Sequence, residues 1–510
     1  MDRRKFLKKS TTLSVAHLGL SSMLLGSTPA FAASLPSNIV DFSANQLSQA
    51  IRLGNVSCIE TMHAYLEHID RYNPAYNAIV SMVEEDTLLA QAADADAAIA
   101  RNEYRGWMHG FPHAVKDLAP VKGLRFTSGS PMFANRIAEQ DSDLAKNIRK
   151  SGAIFIGKTN TPEFGLGSQS YNPVFGATGS AYDPALTAGG SSGGAACGLG
   201  THMLPVADGS DMMGSLRNPG AFNNVIGFRP STGLLGGGDP FSRSLSTSGP
   251  MGRNTQDTIS LLHVIANQPG NEQPHALHGV LPGPEYFLPL DFKRSKIGWF
   301  GDCDGYLAME QGILTLCEAS LAKVSAAGAV VEAISPNFDL RELWQAWLTL
   351  RNWSRISYRD YYENSDTRTQ LKPELIWEIE RSYELSAEDI YRANVIRARW
   401  YAELNRLFET YDFIALPTAQ VFPFSKELHW PKEIDGQQMD TYHRWMEAVI
   451  LGSLSGLPIV NVPVGFDAKG RPMGMQIMGR YGDDKKVLEF ALAYENVTDH
   501  LSIRPNLVSV

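Results

Sequence analysis

Two stretches of the chain hold residue types that could do chemistry. In "GFPHAVKDLAP" a lysine, Lys116, follows Ala114 and Val115 and precedes Asp117. Lysine rarely sits in an apolar run unless it is paired or employed. The second stretch is "AGGSSGGAACGLGTHMLPVADGSDMMGSLRNPG", residues 188–220. Its first half sets four glycines around Ser191 and Ser192. Its second half carries Ser215 behind Gly214 and ahead of Arg217 and Pro219. Glycine at this density lets backbone amides come close to a ligand and adopt dihedrals other residues avoid. A flexible Ser/Gly linker has the same composition, but a linker does not alternate with apolar residues such as Leu204, Pro205 and Val206.

Several simpler motifs compete and fail. "GAIFIGKT", residues 152–159, fits the phosphate-binding pattern G-x-x-x-x-G-K-[ST]. That chemistry needs a loop, whereas Ala153, Ile154, Phe155 and Ile156 predict a buried strand. "GSSGG", residues 190–194, fits G-x-S-x-G with Ser192 as nucleophile. The elbow needs a strand running into the serine and a partner histidine. "AYDPALTAGG" precedes it instead, and the 12 histidines show no obvious partner. Ser320 and Lys323 spell S-x-x-K inside a helical pattern, without the S-D-N or K-T-G companions. There is no H-E-x-x-H and no cysteine–histidine cluster with ligand spacing, and His109 and His113 flank Gly110 and Pro112, which disfavour a helix. No metal site is expected.

Taken together, the Gly/Ser segment and the lysine resemble the signature of the amidase signature family of serine hydrolases. Ser191 and Ser215 are 24 residues apart, "SLRNP" follows the second serine, and "GFPHAVKD" matches the family's G-x-P-x-x-V-K-D context. "GAIFIGKTNTPEFG", "IGFRPSTGLL", "SGPMGRN" and "SGLPIVNVPVGF" resemble further landmarks, so the likeness covers most of residues 41–497. It is weakest around 340–450.

The resemblance implies a Ser–Ser–Lys triad. Lys116 would be the general base, its pKa lowered by burial. Ser191, preceded in the family by a cis peptide bond, would relay the proton. Ser215 would attack an amide carbonyl and form an acyl-enzyme. The backbone amides of Met212, Met213 and Gly214 would hold the oxyanion. Ser192, Asp211 and Arg217 would support the loop, and no cofactor would be needed. Many members have two glycines before the nucleophile, but here Met213 fills one of those positions. It either narrows the acyl pocket or turns into the core, and it would be strained if the position needs a positive φ. A small-molecule amide is the expected partner, as monomer or homodimer. Aromatics around 344–445, including Trp344, Trp347, Trp353, Trp377, Trp400, Trp430 and Trp445, would favour aryl, acyl-chain or hydrophobic peptide amides if some line the mouth. Two other classes stay open: an amide- or peptide-binding protein without catalysis, and a hydrolase built on Ser192 and a histidine.

The elements that must position these residues follow from pattern. Residues 41–101 predict helices, in "SANQLSQAIRLGNVS", "CIETMHAYLEHIDRYN" and "MVEEDTLLAQAADADAAIAR". From about 106, short β-prone runs ("HAVKDL", "GAIFIG", "NVIGFRP") alternate with Gly-rich loops and the helix "DLAKNIRKSG". Long helical stretches dominate 310–412, and strands return in "DFIALPT", "PIVNVPVGF" and "PMGMQIMGR". The expectation is an α/β fold, a large mixed central β-sheet covered by helices on both faces. It forms a single catalytic domain over 33–510, with a signature core about 106–260, a helical insertion about 310–450 and C-terminal strands and helix about 451–497.

Bulk properties set limits. With 510 residues, 44% of them hydrophobic, the chain can bury a large core, and a net charge of −9 argues against a nucleic-acid or anionic-membrane binder. Residues 1–32 are expected to be a twin-arginine-type signal peptide: "MDRRKFLKKS" carries Arg3-Arg4, a mildly apolar stretch follows, and Ala30-Phe31-Ala32 fits a cleavage site. A periplasmic or secreted protein with no later membrane span follows from this. The four cysteines are too few for a disulfide-built fold, and Cys303 with Cys317 could form a pair or remain thiols.

Overall fold

The computed structural model describes residues 35–235, 245–266 and 281–509. The expected signal peptide, 1–32, lies outside the described residues. The compact body that contains every element below is Pro36–Val510.

The N-terminal helices are those the periodicity predicts: α1 (Ala44–Arg52), α2 (Cys58–Tyr76) and α3 (Glu85–Ala100). Ser43 with Gln46 and Ser57 with Glu60 form capping boxes at the starts of α1 and α2, each satisfying amide donors that the first turn leaves open. Helix α2 runs three residues past the predicted "CIETMHAYLEHIDRYN". Pro74 falls in the last turn of α2, and Asn77 ends the helix at φ 52°. Asparagine tolerates this left-handed conformation better than most side chains.

A small three-stranded sheet comes next. Strand β1 (Pro112–Lys116) runs parallel to β2 (Ile154–Thr159), and the two-residue strand Ile79–Val80 flanks β2. Helix α4 (Asp143–Lys150) lies between β1 and β2 in the chain. The phosphate-loop lookalike "GAIFIGKT" is therefore strand: all six residues of β2 are buried, as the apolar run Ile154–Ile156 requires.

Helix α5 (Gly193–Gly200) leads to β3 (Ala207–Asp211), α6 (Arg217–Phe222), β4 (Ile226–Arg229), β5 (Thr247–Gly252) and α7 (Thr255–Ala266). The later elements are β6 (Lys296–Trp299), α8 (Ile313–Ala326), β7 (Val330–Ala333), α9 (Leu340–Ser354), α10 (Pro373–Tyr383), α11 (Ala387–Phe408), β8 (Phe413–Pro417), β9 (Ile459–Phe466), β10 (Pro472–Met478) and α12 (Asp484–Val497). The main sheet has eight strands in the order β7-β6-β8-β10-β9-β4-β5-β3. Its β7-β6-β8 side is parallel and the remaining pairings are antiparallel. This is a mixed sheet flanked by helices, and β9 and β10 are almost wholly buried.

The helical stretch expected over about 310–450 is interrupted by sheet. Both β7 and β8 lie within it, so α8 is a β-α-β crossover and only α9 to α11 stand as an inserted helical block. Strand β8 is the one expected in "DFIALPT", whereas β7, only four residues long, is too short to break a helical reading of its surroundings. Trp344, Trp347, Trp400 and Trp445 are buried in the core, and the four cysteines are buried free thiols.

Candidate active site

Lys116 is the last residue of β1, and its side chain is 1% exposed. Edge strand β3 holds this end of β1 in place. Asp208 Oδ2 accepts from Lys116 N at 3.2 Å, and its other oxygen pairs with His113 Nε2 at 3.0 Å. Two residues along the same face of β3, Ser210 places its Oγ 3.1 Å from Lys116 Nζ. Ser191 and Ser192 lie in the loop before α5, each with Oγ 2.8 Å from Nζ. Three hydroxyls therefore surround one buried amine.

Among the described residues, no carboxylate is in direct contact with that amine. Burial pushes Lys116 down from 10.5 to about 7, against the pull of Asp208 and Asp211. An amine at that value is free to accept a proton near neutral pH. The peptide bond Gly190–Ser191 is cis. Ser168 Oγ donates to Gly190 O at 2.7 Å, and Asn218 Nδ2 donates to Ser168 Oγ at 2.9 Å, so the Ser191 loop is bound to α6.

Ser215 lies just before α6 and is 7% exposed. Its carbonyl accepts from Ser192 N at 3.2 Å, which brings the two serine loops together. Asp211, the end of β3, organises the turn between them. Its carboxylate takes Arg217 Nε and Nη2, each at 3.0 Å, Gly214 N at 2.9 Å and Leu216 N at 3.1 Å. Arg229 Nη1 adds bonds to the carboxylate, 3.5 Å away, and to the Asp211 carbonyl. Burial raises the Asp211 carboxyl, but the guanidiniums of Arg217 and Arg229 outweigh it and hold the group well below the usual carboxylate range. Arg217 extends the network to Val449 O at 3.1 Å, Gln476 Oε1 at 2.6 Å and Ser453 Oγ at 2.6 Å.

One expectation is corrected here. Gly214 N–H points at Asp211, so Gly214 shapes the turn and does not belong among the oxyanion donors. The N–H groups of Met212, Met213 and Ser215 meet no acceptor among the described residues. The positive φ falls on Gly214, at 78°, so Met213 escapes the strain a left-handed position would impose. Met213 is buried in the hydrophobic core, while half-buried Met212 flanks the loop.

Ser192 stands at the N-cap position of α5 but turns its hydroxyl to Lys116 instead of capping the helix, and no histidine is bonded to Ser191, Ser192 or Ser215 among the described residues. Sequence reasoning missed Asp208 and Ser210. Their period-two spacing in "ADGSD" puts both on one face of a strand, and that signal was available. It also missed Phe133, Phe164, Tyr358 and Tyr361, which make edge-on or tilted contacts 5.1–6.5 Å apart. Phe164 precedes Gly165, where a built Cβ would lie 3.5 Å from Ser191 Oγ, so this cluster adjoins the site.

Gly209 gives a steric test of the arrangement. A methyl there would lie 2.6 Å from both Ser192 Oγ and Leu216 Cδ2, inside normal contact distance. Gly209→Ala is expected to displace Ser192 from Lys116 and to destabilise the fold by about 1–3 kcal/mol. Thermal unfolding and steady-state kinetics would read both effects. Wild-type values for both would show that β3 yields without disturbing the site.

Residues 60–488 match the family described as Amidase. The chain belongs to the amidase signature family. Among its relatives, a glutamyl-tRNA(Gln) amidotransferase subunit of Carboxydothermus hydrogenoformans is 30% identical over 499 residues, 91% of this chain and 99% of that protein. An acylamidase of Rhodococcus erythropolis is 28% identical over 474 residues, 92% of this chain and 98% of the relative. A bacterial aryl acylamidase of the amidase signature family shares the fold with a TM-score of 0.83 at 24% identity, covering 91% of this chain and 99% of its own. Amidase signature enzymes act on carbon–nitrogen bonds, and the fold of this chain is theirs.

Proposed function

We propose that the chain hydrolyses a linear carboxylic amide to an acid and ammonia or an amine. Ser215 Oγ attacks the carbonyl carbon and passes its proton through Ser191 to Lys116. The N–H groups of Met212, Met213 and Ser215 receive the oxyanion, a contribution of typically 3–4 kcal/mol per donor. The lysine then returns the proton to the departing nitrogen. The C–N bond breaks, and water, deprotonated by the same relay, hydrolyses the acyl-enzyme. The observation that carries this reading is the buried Lys116 amine, 2.8 Å from Ser191 Oγ with its pKa near 7.

The aromatic cluster of Phe133, Phe164, Tyr358 and Tyr361, rather than the buried tryptophans, supports an acyl or aryl group as the neighbour of the scissile bond. The names of the acylamidase relatives point the same way. The Arg3-Arg4 leader supports export to the periplasm or beyond, and with it action on a free small amide rather than on a cytosolic tRNA-linked substrate. No helix among the described residues is long and apolar enough to cross a membrane.

The test is covalent. Treatment with a serine-reactive fluorophosphonate, followed by peptide mapping, is expected to place one adduct on Ser215 and none in Lys116→Ala. A label on Ser192, or none on the wild-type protein, would overturn the assignment.

A further inference from the structure

Met212, three residues before the nucleophile, is flanked by two cations from the inserted helical block. Its Sδ accepts from Arg351 Nη1 at 2.8 Å and lies 3.6 Å from Arg355 Nη2. Arg351 is on α9 and Arg355 follows its end; they are 5% and 7% exposed. One buried carboxylate, Glu378 of α10, serves both. Its Oε1 accepts from Arg351 Nε at 2.8 Å, Tyr442 Oη at 2.5 Å and His443 Nε2 at 2.8 Å. Its Oε2 is 3.7 Å from Arg355 Nε, beyond hydrogen-bond distance.

The sharing is therefore unequal. Among the described residues, the Arg355 donors find only Ser354 Oγ at 3.2 Å and the Met212 thioether, and a thioether is a weak acceptor. A guanidinium this deeply buried is costly without a full partner. The neighbours do not supply the missing charge. Burial keeps the Tyr442 hydroxyl protonated and His443 neutral near pH 7, so the cluster holds two cations and one anion. Nearby, Lys372 is 4.0 Å from Glu374 and donates to Leu166 O at 3.0 Å. Beside the open guanidinium lies the Tyr358 ring, 5.6 Å from Arg355 Cζ and itself packed on Phe164.

We propose that Arg355, beside Met212 and the candidate nucleophile's turn, binds the carboxylate at the far end of an amide substrate with its planar fork. The substrate class is then a half-amide of a dicarboxylic acid, with its apolar spacer along Phe164 and Tyr358. This deepens, and rests on, the amidase reading above. The planar fork suits a carboxylate better than a lysine would.

Calorimetric titration of the full chain with succinate, glutarate and adipate, each against its neutral diamide, tests the proposal. At least one dicarboxylate is expected to bind the wild-type protein more tightly than its diamide. Arg355→Gln is expected to weaken that binding about 10- to 100-fold while leaving the diamide unchanged. Arg355→Lys, which keeps the charge but not the fork, is expected to fall between them, and it carries the comparison if Arg355→Gln does not fold. Diamides binding as well as the dianions, or affinity unchanged in the foldable variants, would overturn the inference. Fluorophosphonate labelling of Ser215 on the same preparations decides the serine chemistry independently, so loss of one reading is separable from loss of the other.

Discussion

Lys116→Met is expected to abolish most turnover and, at the same time, to make the protein more stable at pH 6. The first effect follows from proton transfer. Removing a positioned base costs about 10²- to 10⁴-fold, and here the amine is surrounded by the Ser191, Ser192 and Ser210 hydroxyls. The second follows from burial. In the folded chain the lysine titrates at about 7 rather than 10.5, with desolvation as the largest cause. Between those values the unfolded chain holds a proton that the folded chain has released. Wild-type stability therefore rises with pH across that window. Below about pH 7 the fold carries a buried ammonium, at a cost of about 1.4 kcal/mol for every tenfold loss in proton affinity, and the methionine variant is free of it.

Two measurements separate these effects. The wild-type kcat/KM should rise as pH increases through about 7 and then level off. In denaturant unfolding, the stability gain of Lys116→Met should be largest near pH 6 and shrink toward pH 9. A gain that stays constant with pH would mean that packing, not charge, is responsible. Lys158 offers a control. It is also buried, sits in β2, and titrates at about 8 through burial, but its Nζ donates to Ala119 O and touches none of the serines. Lys158→Met should change stability over a neighbouring pH range without removing the rise in activity through pH 7.

How much of this was legible in the sequence differs by element. The triad candidates stood out because glycine-rich turns and a lysine in an apolar run are locally improbable, so short stretches carried the signal. The helices α1 to α3 and strand β2 were legible for a related reason, since the apolar periodicity of the helices and the unbroken apolar run of the strand agree with how they are buried. What stayed hidden depends on contacts across long separations. Nothing near Arg351 in the chain announces that it meets Met212 139 residues away, or Glu378 in another helix. Likewise, only the folded turn shows that Gly214 N–H faces Asp211, because the choice between an oxyanion and a carboxylate as its acceptor is made by backbone geometry. Strand β7 was absorbed into a helical expectation because it is short and takes its stability from its parallel partner, β6, whereas β8 was legible in "DFIALPT".

Asp211→Asn is expected to be the most damaging single change outside the triad. The carboxylate is fully buried and answers two guanidiniums and two backbone amides at once. Asparagine keeps the shape but removes the charge, and its NH2 group has to face donors. Breaking a buried ion pair from one side costs about 3–5 kcal/mol, and here the cations of Arg217 and Arg229 would both be left behind. The turn through Met212, Met213 and Gly214 would lose the acceptor that folds it, and a shift of about 1 Å in such a loop can cost 10²-fold in rate. Arg217→Met is the discriminating companion. It removes one cation and leaves Asp211 with Arg229 and the amides of Gly214 and Leu216, so the remaining charges balance one to one. Its loss of stability in denaturant unfolding should be smaller than that of Asp211→Asn. Equal losses would mean that the Arg217 bonds to Val449, Gln476 and Ser453, rather than charge balance around the turn, hold this part of the site in place.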